Sequence, residues 1–280
     1  MSIAVTGATG QLGRLIVAGL TDHLPADQVV AVVRDPQKAA DLGVTVRVAP
    51  YEDEEALATA FEGVDVLVFV SGDTPGVRVP QHTNVVRAAQ RAGVGRVVYT
   101  SAPKAADTTL ILAPEHKATE ELLRDSGLTW TFLRNNWYSE NYAGTLQTAA
   151  ATGEVVSAAG DGRVASASRP DFAAATVVVA TTDGHENAVY ELGGDEAWDF
   201  AEFTRAAGAA LGRELTYRPV RPEELDAELT AAGLDAGTRG FLVGLDVNIA
   251  EGTLAEVTHD LSRLTGRPTT PLETTLRSLV

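Results

Sequence analysis

A doubly wound α/β fold, in which helices cover both faces of a parallel sheet, is predicted by three features of this 280-residue chain. Short β-branched runs alternate with longer stretches of helical spacing through the first 135 residues. A glycine-rich turn joins the first run to the first helical stretch. Two later helical stretches end on glycine stop signals, Ala92-Gly93-Val94-Gly95 and Asp125-Ser126-Gly127, each just before a new apolar run.

In order, the predicted strands are Ile3 to Val5, Val29 to Val33, Val44 to Val48, Val66 to Val70, Arg96 to Thr100 and Thr129 to Leu133. The stretches between them, Gln11 to Leu20, Pro36 to Leu42, Glu54 to Phe61, Pro80 to Ala92 and Glu115 to Asp125, carry apolar residues near helical spacing. After Arg134 the alternation loosens into Asn135 to Glu140, an alanine-rich helix, a short Val155-Val156 strand and the turn Gly160-Asp161-Gly162-Arg163. Pro170-Asp171-Phe172-Ala173 reads as a helix start, Ala188 to Leu192 as a strand, and helices dominate from Trp198 except at Leu215 to Arg218. The expected division is residues 1–155 as the main α/β domain and 156–280 as a smaller, mainly helical cap interleaved with late sheet elements.

Composition excludes several functions. Thirty-eight acidic against 22 basic side chains give a formal charge of -16, a field that repels a nucleic-acid backbone, and no basic patch overrides it. The chain has no cysteine, hence no disulfide framework or thiolate chemistry. His23, His82, His116, His185 and His259 form no His-x-x-x-His pair, so no metal site is expected. No window approaches the roughly 18 apolar residues of a spanning helix, and Ser2-Ile3-Ala4-Val5 runs straight into the glycine turn without a leader pattern. A soluble, cytoplasmic protein without membrane contact is the expectation.

The glycine turn carries the most chemistry. Gly7-Ala8-Thr9-Gly10-Gln11-Leu12-Gly13 follows a strand and opens an amphipathic helix, the setting of a Rossmann dinucleotide site. Gly7 permits the tight turn, Gly10 admits the pyrophosphate, and Gly13 lets helix and strand approach. Phosphates then meet unpaired N–H groups at the positive end of the helix dipole. The bland alternative is a glycine turn that binds nothing.

At the tip of the second strand, Val32-Val33-Arg34-Asp35 puts a guanidinium where the adenosine ribose would lie. An arginine there pairs with a 2′-phosphate and favours NADP(H), whereas a carboxylate accepts from the 2′-hydroxyl of NAD. Asp35 beside it leaves both open, and Arg34 as a solvated surface charge is a third reading. Ser71-Gly72-Asp73, after the fourth strand, either lines the dinucleotide crevice or is an ordinary loop.

The Tyr-x-x-x-Lys pair of the common short-chain dehydrogenases is missing: Tyr99 and Lys104 are five apart, and Tyr99 falls within a predicted strand. His116 and Glu120 occupy the two slots where the pair is expected. His116 is then either an acid poised near neutrality or a helix-surface histidine paired with Glu120. Beyond the sixth strand, Leu133-Arg134-Asn135-Asn136-Trp137-Tyr138-Ser139-Glu140-Asn141-Tyr142 crowds aromatics and amides at the mouth of the crevice. Trp137 and Tyr138 either stack against a nicotinamide and a flat substrate or lie in the core under the cap.

These residues, with Pro80-Gln81-His82, Ala158-Ala159-Gly160-Asp161-Gly162 and Ala165-Ser166-Ala167, resemble the NmrA-like atypical short-chain dehydrogenase/reductases over essentially the whole chain. The likeness is strongest to members that reduce quinones or triphenylmethane dyes with NADPH. The Leu-Arg-Asn-x-Trp-Tyr-Ser-Glu-Asn-Tyr run is specific to the group, unlike the glycine motif.

The resemblance implies cofactor binding by Gly7, Ala8, Thr9, Gly10, Gln11, Leu12, Gly13, Arg34, Ser71, Gly72, Asp73, Asn135, Trp137, Tyr138, Ser139, Glu140 and Arg163. It implies a substrate pocket at Trp137, Tyr138 and Asn141, with Tyr138 and His116 as candidate catalytic residues. The implied cofactor is NADP(H), without flavin or metal. The implied activity is direct hydride transfer to a quinone or similar planar, electron-poor acceptor, in a monomer or homodimer. The missing Tyr/Lys pair suits this, because a hydroquinone anion has a conjugate acid near the ~10 of tyrosine and takes its proton from solvent. A non-catalytic NADP(H)-sensing regulator is the alternative, and a reductase or epimerase of a secondary pathway is a third.

Overall fold

The computed structural model describes residues 1–72, 74 and 76–280. Through the first half of the chain the elements run β1 (Ile3–Thr6), α1 (Gln11–Thr21), β2 (Val29–Val33), β3 (Thr45–Val48), α2 (Glu54–Ala60), β4 (Val66–Phe69), α3 (Arg78–Ala92), β5 (Arg96–Ser101), α4 (Ala113–Asp125) and β6 (Thr129–Asn135). They continue as α5 (Ala143–Thr152), β7 (Glu154–Ser157), α6 (Arg169–Thr181), β8 (Ala188–Leu192), α7 (Phe200–Leu211) and β9 (Thr216–Pro219). Four helices close the chain: α8 (Pro222–Ala231), α9 (Ala236–Ala250), α10 (Asp260–Thr265) and α11 (Leu272–Arg277).

The chain forms two compact units. The first comprises Met1–Ala106, Leu112–Asn135 and Arg169–Glu191, and the second Asp107–Ile111, Asn136–Ser168 and Leu192–Val280. The first unit's opening run thus ends at Asn135, and α6 belongs to the same unit.

The first unit carries a seven-stranded sheet in the order β3-β2-β1-β4-β5-β6-β8. Its parallel register pairs Ile3 with both Val29 and Val66, Val66 with Arg96, and Arg96 with Thr129. Strands β1, β2, β4 and β5 are buried at every position, as near-continuous apolar runs covered on both faces require. The strand order turns back between β1 and β4, so the crevice beyond their carboxyl ends is where a doubly wound sheet takes its ligand. Helices α1 and α6 approach closely at Gly19, where a Cβ would come within 2.9 Å of Val177.

One predicted helix is absent. Pro36 to Leu42 forms only the 3-10 turn Pro36–Ala39, with the Asp35 carboxylate accepting from Gln37 N–H at its start and Gly43, at φ +67°, redirecting the chain into β3. Local capping on one side and a left-handed residue on the other leave no room for a second turn.

The second unit holds the two-stranded parallel pair β7 and β9, with Glu154 opposite Thr216. Its aromatic core is Tyr142, Trp198, Phe200 and Phe203, with ring centroids 5.0–6.0 Å apart around Tyr142. A capping box between Asp199 and Glu202 starts α7. Among the described residues no helix is long and apolar enough to cross a membrane.

Candidate functional site

At the end of β1 the backbone enters Gly7 at φ +59°, and the Gly10 N–H donates to the Gly7 carbonyl at 2.9 Å. A Cβ at Gly13 would stand 2.2 Å from that carbonyl oxygen, so α1 can start this close to the turn only with glycine there. The α1 N-terminus has Gly10 as its cap residue, no side-chain cap and no acidic residue in its first turn. Its unpaired N–H groups and positive dipole end are therefore left for an anion. A pyrophosphate fits this cradle, since glycine at 13 lets α1 start directly on the turn and no carboxylate in its first turn competes for the site.

Arg34 and Asp35 emerge at the end of β2 with separate fates. The Asp35 carboxylate is turned back to cap the Pro36–Ala39 turn, 3.0 Å from Gln37 N. Arg34 is exposed and holds no ion pair among the described residues. The Arg14 guanidinium of α1 pairs with Asp41 at 2.8 Å and donates to the Lys38 carbonyl. Of the two adjacent side chains, the carboxylate has a local partner, and the guanidinium has none among the described residues.

Past β4, Ser71 and Gly72 are half-buried. Ser71 N–H donates to Thr100 Oγ1 at 2.9 Å, Gly72 N–H to His82 Nε2 at 3.0 Å, and Arg78 Nε to the Gly72 carbonyl at 2.9 Å. Below them, the Tyr51 hydroxyl lies 2.6 Å from both Thr6 Oγ1 and the Val70 carbonyl, tying the ends of β1 and β4 together. Sequence reasoning missed Tyr51, Arg78 and Thr100. His82 was read only as one of five histidines without metal-ligand spacing and as part of the shared motif Pro80-Gln81-His82, with no role assigned. Asp73 lies outside the described residues. Asn135, at the end of β6, is buried.

In the second unit, Trp137 to Ser139 run alongside Ala167, whose N–H donates to the Trp137 carbonyl at 3.2 Å and whose carbonyl accepts from Ser139 N–H at 2.9 Å. Ser139 Oγ is buried 2.8 Å from Ser166 Oγ. Trp137, Tyr138 and Glu140 are half-buried and Asn141 is exposed. The aromatic that enters the core is Tyr142, two residues past the predicted cofactor segment. Arg163 pairs with Asp199 at 3.4 Å and Glu202 at 2.7 Å and donates to the Ala197 carbonyl, so within this unit its charge is matched by two carboxylates.

The surface reading of His116 is corrected. His116 is buried, with Nδ1 2.9 Å from the Tyr99 hydroxyl, and burial first, then the Arg78 charge, hold its pKa down to about 3. It is neutral near pH 7 and is no acid poised at neutrality. Glu120 does not pair with it. The Glu120 carboxylate, fully buried, accepts from Ser101 Oγ at 2.7 Å, from Arg134 at 2.7 and 2.8 Å and from Arg124 at 3.1 Å. Tyr99 is fully buried and its pKa is pushed up by that burial, so it too is closed to proton transfer with substrate.

Residues 7–183 match the NAD(P)H-binding family. The chain is 45% identical to quinone oxidoreductase 2 of Escherichia coli (strain K12) over 273 residues, 96% of each protein. The crystal structure of an NADPH-dependent quinone oxidoreductase from Escherichia coli complexed with NADPH matches with a TM-score of 0.96 at 44% identity, covering 99% of each chain. The triphenylmethane reductase of Citrobacter sp. complexed with NADP(H) matches with a TM-score of 0.95 at 37% identity, covering 100% of each chain. With its glycine cradle intact and its similarity running the full length, the chain belongs to the NAD(P)H-binding, NmrA-like family.

Proposed function

We propose that this protein is an NADPH-dependent oxidoreductase that reduces a quinone or a similar planar, electron-poor acceptor by direct hydride transfer. The observation that carries the reading is the full-length similarity, at 45% identity, to a quinone oxidoreductase. The first unit supports it with an uncapped glycine cradle and with Arg34 exposed and unpaired where a 2′-phosphate would lie.

When bound, NADPH supplies the hydride. The chain's own residues hold and orient. Gly7 to Gly13 receive the pyrophosphate on backbone N–H groups, Arg34 takes the 2′-phosphate, and Ser71, Gly72 and Asn135 line the cleft in the first unit. In the second unit, Trp137, Tyr138, Ser139 and Glu140 contribute to nicotinamide binding, and Trp137, Tyr138 and Asn141 present the half-buried and exposed surface on which a flat acceptor stacks. Arg163, a cofactor-binding residue by the resemblance, is ion-paired to Asp199 and Glu202 at the start of α7.

Proton supply needs no dedicated side chain. A reduced quinone is phenolate-like, with a conjugate acid near the ~10 of tyrosine, so water protonates it readily. That matches a site region in which His116 is held neutral and Tyr99 is sealed.

The test is nicotinamide absorbance with NADPH or NADH, a panel of small quinones and one triarylmethane dye. Oxidation of NADPH that depends on quinone is expected. Tight NADPH binding with no acceptor reduced would overturn the enzyme reading and favour a nucleotide sensor.

A further inference from the structure

The segment after β4 is held from beneath by a closed set of hydrogen bonds whose protons can be assigned. Gly72 N–H donates to His82 Nε2 at 3.0 Å, so Nε2 carries no hydrogen and the ring proton sits on Nδ1. Nδ1 lies 2.8 Å from Thr119 Oγ1, to which it donates, and the Thr119 hydroxyl donates in turn to the Glu115 carbonyl at 2.9 Å. The other side of Gly72 is held as well: its carbonyl accepts from Arg78 Nε at 2.9 Å, and the same guanidinium meets the Glu115 carboxylate at 2.9 Å. That carboxylate also accepts from Gly76 N–H at 2.9 Å.

The His82 ring is fully buried, edge-on to Phe69 and Tyr99 with centroids 4.6 and 5.7 Å away. It therefore cannot swing, and one tautomer is imposed by partners on both nitrogens. A Cβ on Gly72 would come 3.6 Å from Nε2 and 3.3 Å from Gln81 Oε1, so the loop rests directly on the ring.

We propose that His82 is a positioning residue for cofactor binding: through Gly72 N–H it fixes the Ser71–Gly72 backbone against the nucleotide, with Thr119 and Glu115 of α4 holding the ring in its accepting orientation. The proposal rests on the reading that Ser71 and Gly72 line the NADPH cleft. It gives the Pro80-Gln81-His82 motif a physical role, because from this position in α3 the ring reaches the Gly72 backbone beyond the carboxyl end of β4. Burial first, then the neighbouring His116 and Arg78, keep the ring neutral, with its pKa near about 2, so the accepting nitrogen stays available throughout the working pH range.

The experiment compares wild type, His82→Phe, His82→Gln and Thr119→Val by equilibrium titration with NADPH and by steady-state kinetics at saturating quinone. Phenylalanine keeps the ring packing and removes both nitrogens, and its Kd and KM for NADPH rise about tenfold while kcat stays within twofold. Glutamine, whose Oε1 can take the Nε2 position, recovers most of the affinity. Thr119→Val, isosteric and distant from the loop, gives a smaller weakening of the same kind and stands as the test if His82→Phe does not fold. A folded His82→Phe, or failing that Thr119→Val, with wild-type NADPH affinity overturns the proposal, as does a His82→Gln no tighter than His82→Phe. Wild type that fails to bind NADPH overturns the underlying cofactor reading instead.

Discussion

Two polar regions of the first unit lie at the carboxyl ends of neighbouring strands and treat their hydrogen-bonding groups in opposite ways. The Gly7–Gly13 turn leaves the N–H groups of α1 uncapped and keeps carboxylates out of the first helical turn. The cluster beneath β4 and β5, built from His82, Tyr99, Ser101, His116, Thr119 and Glu120, is buried and interlocked. Unmet hydrogen-bonding capacity at the surface is what a ligand recognises, whereas buried polar groups hold a shape only when their partners are all in place. The contrast supports the proposal of binding at the first region and positioning at the second.

The comparison breaks most readily at Glu120. Its buried carboxylate gathers Ser101, Arg134 and Arg124, and Arg134 reaches on to Glu191 at 2.8 Å. Glu120→Ala leaves a largely buried guanidinium with one partner fewer and is expected to cost about 3–5 kcal/mol of stability in urea unfolding. A loss under 1 kcal/mol would mean that water replaces the carboxylate and that the cluster is not closed.

Acid offers a second route into the same cluster. His82 and His116 have folded pKa values lowered to about 2 and about 3, in both cases by burial first. Against an unfolded value near ~6.5, the unfolded chain binds more protons than the folded one between those limits. Their contribution is intact above about pH 6.5 and is lost as pH falls toward the folded values. For two such groups, stability should be about 2–3 kcal/mol lower at pH 5.5 than at pH 7.5, and His116→Phe should remove about half of that dependence. An unchanged pH slope in the variant would show that His116 already titrates normally in the fold.

What the sequence revealed follows the same division. The glycine cradle was legible because everything it needs lies within seven residues, and the strand order around it follows from the βα alternation. The positioning cluster was not, since His82 and Thr119 are 37 positions apart and meet only when α3 and α4 pack side by side. His116 and Glu120 were misread for a related reason. An i,i+4 pairing rule describes an exposed helix face, but this face of α4 is buried, and the strand residue Arg134 competes for the carboxylate. The half-buried state of Trp137 and Tyr138 was equally hidden, because the aromatic core that could have taken them is built from Tyr142 and from residues some 60 positions further on, Trp198, Phe200 and Phe203.

Arg34 and Asp35 bring the contrast down to two adjacent side chains, one with a local partner and one without. Arg34→Ala should weaken NADPH about 10- to 100-fold, the size of a lost charge-assisted contact, and leave NADH unchanged. Asp35→Ala should act on stability instead. It removes the acceptor for Gln37 N–H and should lower stability by about 1 kcal/mol, with the ratio of NADPH to NADH affinity unaltered. Affinity titrations of both nucleotides against both variants, beside urea melts, separate the two roles. If instead Asp35→Ala shifted the nucleotide ratio, the carboxylate would be leaving its cap to meet the ribose, and the partnered group, not the unpartnered one, would be the reader.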